Sequence, residues 1–254
     1  MPKKYFRRFR KKGARKGRRV PKMSFDKRVL QVVNGQRELK VATTTFAGLP
    51  ILNAIGTNGA LDILPEIPQA GNTGSASANA QEFYRDGNSI TVKKIVLRWW
   101  ISMKTPVDAV NSKAIVRHMI LRQKYSNATA VLANGLQASA LLENAKQFTG
   151  TISSLQTPIN KAGFARRMDR RHYISSPTIN QAQLDVDGDQ TNAFKMGQKT
   201  LTFGNGKQIT YSTGSTDESN NFPYFMLIGQ ASPTGATVQG LELNYTTTCY
   251  FYDS

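Results

Sequence analysis

SITVKKIVLRWWISMKT, residues 89–105, is the stretch whose reading decides the fold. It follows Arg85-Asp86-Gly87-Asn88, where short polar residues and glycine favour a turn, and it stops at Pro106. β-Branched and aromatic side chains dominate it, so it reads as one long strand. Ile90, Val92, Ile95, Leu97, Trp99 and Ile101 do not keep one strict alternation. The phase shifts near Lys93–Lys94, and that predicts a bulge or bend within the strand.

Similar runs lie on either side. ELKVATTTFAG (38–48), AIVRHMILRQKY (114–125), FARRMDRRHYISS (164–176), PYFMLIGQ (223–230) and LELNYTTTCYFYD (241–253) all read as strands. In the last, Leu241, Leu243, Tyr245, Thr247, Cys249 and Phe251 fall on one face, with Glu242, Asn244, Thr246, Thr248, Tyr250 and Tyr252 on the other. KTLTF and KQITYS flank Asn205-Gly206, a dipeptide that tolerates positive φ, so a hairpin is expected there. Leu141, Leu142, Ala145 and Phe148 recur at helical steps before Gly150, which predicts one helix over 136–148. Residues 23–36 read as a transition along a surface or into a strand, and 49–88 as mostly loop, with the polar stretch GNTGSASANAQ inside it. No helices alternate with the strands, so a parallel α/β sheet is excluded. The expected fold is all-β: a single eight-stranded antiparallel jelly roll of two facing four-stranded sheets, with one short helix in a loop.

Charge divides the chain differently. Lys3, Lys4, Arg7, Arg8, Arg10, Lys11, Lys12, Arg15, Lys16, Arg18, Arg19 and Lys22 place twelve of the 34 cations in the first 22 residues, without one acid. The rest of the chain holds 22 cations against 16 acids. Such a segment has little to bury and repels itself, so a disordered arm over 1–28 is expected, followed by a jelly-roll domain over 29–254. A dense polyanion would neutralise it, and nucleic acid is the commonest. Tyr5, Phe6 and Phe9 stand among the arginines, where rings stack on unpaired bases and guanidinium groups add cation–π contact. The same basic runs fit a nuclear localisation signal. Binding to single strands should weaken with salt at about −0.7 per neutralised phosphate, which bounds the arm at about −8 per subunit. A second basic cluster, Arg166, Arg167, Arg170 and Arg171 beside His172, has three readings: genome contact, pairing with acids across a subunit contact, or simple exposure.

Other chemistries find poor support. One cysteine, Cys249, excludes an intramolecular disulfide framework and a Cys-rich zinc site. There is no apolar run long enough for a membrane span and no apolar core of a secretory signal, so no membrane insertion is expected. G-x-S-x-G, H-E-x-x-H and Walker patterns are missing; GNGK at 204–207 lacks the earlier glycine, since Leu201 stands there, and Gln208 follows. His118 reads as a packed strand histidine, and the arginines around His172 disfavour a general base. DVDGD (185–189) departs from an EF-hand, with Gly188 misplaced and Met196 where the bidentate acid belongs; it reads as an acidic exposed turn, the alternative being a divalent ion held in this loop between subunits. Neither a metal nor another cofactor is expected, and no enzymatic activity. The sequons Asn127-Ala-Thr129 and Asn244-Tyr-Thr246 carry little weight without a signal segment.

Three features together resemble the capsid protein of small circular single-stranded DNA viruses, the circovirus-like group that encodes a replication-associated protein. They are YFRRFRKKGARKGRR at the start, RDGNSITVKKIVLRWWI, and LELNYTTTCYFYDS at the end. The resemblance implies a jelly roll with strands B to I in sheets BIDG and CHEF. On this chain it places B at 38–48, C at 89–105, D at 114–125, E at 164–176, F at 198–204, G at 207–213, H at 223–230 and I at 241–253. The helix at 136–148 would then lie between D and E, and 49–88 would be the B–C loop. It also implies a virion protein that self-assembles in many copies into a small icosahedral shell. That protein would package genomic single-stranded DNA, or RNA on heterologous expression, and reach the host nucleus through an import receptor. Nothing in the sequence points to a particular cell-surface receptor. The rival reading is a non-viral basic nucleic-acid-binding protein of ribosomal or chromatin type.

Overall fold

A computed structural model describes residues 24, 25, 29, 32, 38–55, 60–70, 83–103, 113–124, 141–175, 194–212, 219–231 and 240–253. The chain forms two units, Met1–Arg37 and Glu38–Ser254. In the first, Phe25, Val29 and Val32 are helical, where a surface segment or strand was expected. Their i, i+4, i+7 spacing suits one helix face.

The second unit is built from strands. β1 spans Lys40–Pro50, β2 Ala60–Asp62, β3 Ser89–Met103, β4 Lys113–Gln123, β5 Phe164–Ser175, β6 Phe194–Thr210, β7 Tyr224–Ala231 and β8 Leu241–Asp253. They form two four-stranded sheets, in the orders β1-β8-β3-β6 and β2-β7-β4-β5. Every pairing is antiparallel. Lettered B to I in chain order, these sheets are BIDG and CHEF, so the body is an eight-stranded jelly roll.

The architecture stands, and so do strands B, H and I, but the letters between B and H implied by the resemblance shift. C is the three-residue β2, inside the segment read as loop. The long strand at 89–103 is therefore D, 113–123 is E, and 164–175 is F. Strand G is the whole of β6, because the expected hairpin at Asn205-Gly206 does not form. On one side of that dipeptide Thr202 pairs with Lys94; on the other Lys207 pairs with Val92. The chain bulges without reversing. Gly206 holds φ +103 there, and a Cβ would meet Thr91 Cγ2 at 2.4 Å. A bulge and a tight turn both demand positive φ, so the dipeptide could not distinguish them. The phase shift expected near Lys93 is present, and it lies opposite this bulge.

The predicted helix over 136–148 also fails within its described part. Leu142 bridges to Lys146 and Ile159, and only Glu143–Ala145 turn, as a short 3-10 segment, with Asn144 at φ 61. The helix of this connection, α1, comes later at Ile152–Gln156, where the Thr151 side chain accepts from Ser154 N. Leu141, Leu142 and Phe148 are buried as helical core residues would be, but by packing onto a sheet.

Two apolar cores result. Between the sheets, Val92, Ile95, Leu97 and Trp99 of β3 pack with Val116 and Ile120 of β4, Met226 of β7 and Leu243 and Phe251 of β8. Behind the second sheet, Met119, Leu121, Phe225 and Leu227 are covered by Ile55, Leu141, Leu142, Phe148, Leu155 and Ile159. Phe148 sits so close to β7 that a Cβ on Gly229 would meet its Cε1 at 2.5 Å. Arg117, fully buried, staples this cover down. Its Nε and Nη2 bond Asp169 at 3.0 and 2.9 Å, and its Nη1 bonds the carbonyls of Ser154 and Thr157.

Candidate nucleic-acid interface

The arm residues Lys3 to Lys22, with Tyr5, Phe6 and Phe9, lie outside the described residues, as does the Asp185–Asp189 loop. The second basic cluster is described, and the structure divides it. All four arginines lie on β5, the edge strand of the second sheet. Arg171 donates from Nε to the Leu155 carbonyl at 2.9 Å, so it serves the α1 cover. Arg170 pairs in register with His118, on the strand face turned toward the other sheet. His118 is fully buried, its ring edge-on to Trp99 at 4.7 Å. Burial above all, then His172 and Arg170, lowers its pKa to about 3. His172 is lowered too, by burial and by Arg170 and Lys195. His118 is thus a packed strand histidine, as its place in the VRHMI run predicts.

Arg166 and Arg167 are brought together with partners that the sequence reading missed. Leu121 pairs with Arg166 and Ile120 with Met168, so Arg167 is the extra residue of a bulge. Its guanidinium bonds the Tyr224 hydroxyl at 3.2 Å and lies 5.5 Å from that ring's centre. Opposite stands β6, the edge strand of the first sheet. Lys199, Thr200, Leu201, Thr202 and Phe203 from β6 close a cleft of about 220 Å³ with Arg166, Arg167 and Tyr224. No carboxylate is among the described residues that line it. Further cations act on groups of β5 and β6. Lys195 acts on His172, and burial, with a smaller effect of Arg122, lowers the pKa of Lys207. The alternation Lys195, Gly197, Lys199 placed these side chains on one face of β6. Pairing that face with β5 required the fold.

A second open region lies on the outer face of the first sheet. Trp100 is 50% exposed, and a shallow groove of about 470 Å³ runs past it between Arg98, Met196, Gln198, Asn244 and Thr246. Among the described residues no three of His, Cys, Asp or Glu converge as metal ligands would.

No family model matches the chain. No curated protein matches it either. Among solved structures it is similar to the capsid protein in the crystal structure of Penaeus stylirostris densovirus capsid. That similarity covers 85% of this chain and 83% of the other, at 9% identity and a TM-score of 0.18. At that score the fold and the chemistry rest on the strand order and side chains of this chain alone.

Proposed function

We propose that this chain is a viral capsid protein. Copies of the jelly-roll body self-assemble into a small icosahedral shell, and the Arg/Lys-rich arm packages single-stranded DNA by charge. One observation carries the reading: a body with the strand orders BIDG and CHEF follows a segment of twelve cations without an acid. A jelly roll with flat open faces suits repeated contacts under closed symmetry. Modest contacts then add up through avidity across many copies. The arm supplies sequence-independent affinity for phosphates, so the genome's sequence need not matter. In this reading the protein is a virion component, it has no enzymatic role, and its basic runs also engage a nuclear import receptor. The circovirus-like group is supported by the sequence resemblance alone.

The test is particle size, by negative-stain microscopy and light scattering, for the full chain and for a variant without residues 1–22. Uniform particles of roughly 20 nm are expected, and the truncated variant should form shells that lack nucleic acid. A monomer under all salt and pH conditions would replace this reading with a solitary basic nucleic-acid-binding protein.

A further inference from the structure

We propose that the cleft between β5 and β6 is a phosphate-binding site, built from Arg166, Arg167 and Lys199. That a nucleic-acid backbone supplies the phosphate rests on the proposed function; the site itself does not.

Charge argues first. Arg166, Arg167 and Lys199 line one small cleft, with no carboxylate among its described lining residues. Like charges gathered around one cleft repel, and a bound anion offsets that repulsion. Shape argues next. About 220 Å³ is below the roughly 300–1,000 Å³ of typical small-molecule sites, so the cleft suits one tetrahedral anion better than a whole base and sugar. Arginine's planar fork matches two phosphate oxygens at once, and lysine adds a point charge.

Preorganisation argues last. Arg167 is the unpaired residue of the β5 bulge, and its contacts with Tyr224 hold the guanidinium over the cleft. The β6 bulge stands on the other wall, where Phe203 packs edge-on to Tyr224 at 5.4 Å. Two ladder irregularities on two different sheets thus flank the same cleft. Bulges re-aim side chains, at the expense of regular pairing. Here they turn an ordinary sandwich edge into a basic notch.

The full chain should be titrated with inorganic phosphate against chloride at matched ionic strength, reading the thermal midpoint. Phosphate is expected to raise the midpoint above its value in chloride. Arg167→Gln and Lys199→Gln should each weaken the apparent phosphate affinity at least about tenfold. Arg167→Lys should keep part of it, and Lys146→Gln, outside the cleft, should keep all of it. The arm is identical in every variant, so its own phosphate binding cancels from the comparison. A second arm of the experiment photo-crosslinks an iodouracil-bearing oligothymidine and maps the attached peptides by mass spectrometry. Adducts at 166–167 or 199 identify a nucleic-acid strand as the phosphate source. Adducts confined to residues 1–22, with phosphate binding still lost in the glutamine variants, overturn the strand as source and leave a free-phosphate site. Equal phosphate affinity in the wild type and both glutamine variants overturns the site altogether. Failure of the shell reading would look different: a monomer in light scattering with its phosphate response intact.

Discussion

The two sheets of this jelly roll have the same number of strands and opposite fates. The β2-β7-β4-β5 sheet is buried on both faces, one against its partner sheet and the other under α1 and the segments around Ile55 and Phe148. Among the described residues, the β1-β8-β3-β6 sheet is buried on one face only. Its other face carries Thr43, Thr45, Thr246, Arg98 and Trp100 among mostly polar neighbours. The difference is written in β4 and β3. Every residue from Val116 to Leu121 is buried, whereas β3 leaves Arg98 and Trp100 exposed. A sheet covered on both sides reads as a continuous apolar run, and one with a bare side alternates. The covered sheet is packed on both sides, whereas among the described residues nothing apolar is packed over the other face.

Three measurements would break or sharpen that contrast. The largest effect should come from Arg117→Met. It leaves Asp169 buried beside α1 without its cation, so unfolding in urea should show a loss of about 3–5 kcal/mol. Adding Asp169→Asn should recover part of that loss. A smaller value than Trp100→Ser would mean that the cover behind the second sheet contributes little.

Acid should act next, through the space between the sheets. His118 takes a proton near pH 3 in the folded chain, against 6.5 ordinarily. Between those values the unfolded chain holds more protons, so this contribution to stability is complete above 6.5 and declines as pH falls toward 3. His172 and Arg170 also oppose a new positive charge there. Between pH 7 and pH 4 the loss from this residue should be about 3 kcal/mol. His118→Gln, neutral throughout, should flatten the urea-derived stability profile by that amount. An unchanged profile would show that His118 is not sealed between the sheets.

The smallest effect belongs to the bare face. Trp100→Ser should change body stability by no more than about 0.5 kcal/mol, because a half-exposed side chain on an uncovered sheet gives up little packing. Acrylamide should quench Trp100 while Trp99, 3% exposed, stays protected. A Trp100→Ser loss as large as that from a core truncation would mean that this face is covered after all.

Much of this was legible in the chain. The inward set of β8, from Leu241 to Phe251, was read correctly, because alternation with a period of two records one buried face directly. The bulge at Lys93 was visible for the same reason, as a broken phase. Strand β2 was not legible. Three residues are too few to show a period, and Ala60–Asp62 is a strand only because β7 lies beside it. Nor was the true role of Phe148, whose spacing fits a helix but whose burial comes from Gly229 beneath it. The candidate site was half visible. Arg166 and Arg167 stood out as charges, whereas Lys199 and Tyr224 joined them through a bulge and a sheet edge.

By itself the sequence determined the class of fold, the strand faces and the concentration of positive charge in the first 22 residues, since each depends on neighbours along the chain. Tertiary structure decided which strand is C, whether Asn205-Gly206 turns or bulges, which sheet is covered, and which arginines share a cleft. Those outcomes depend on contacts between residues far apart in sequence, and local propensity is the same for each alternative.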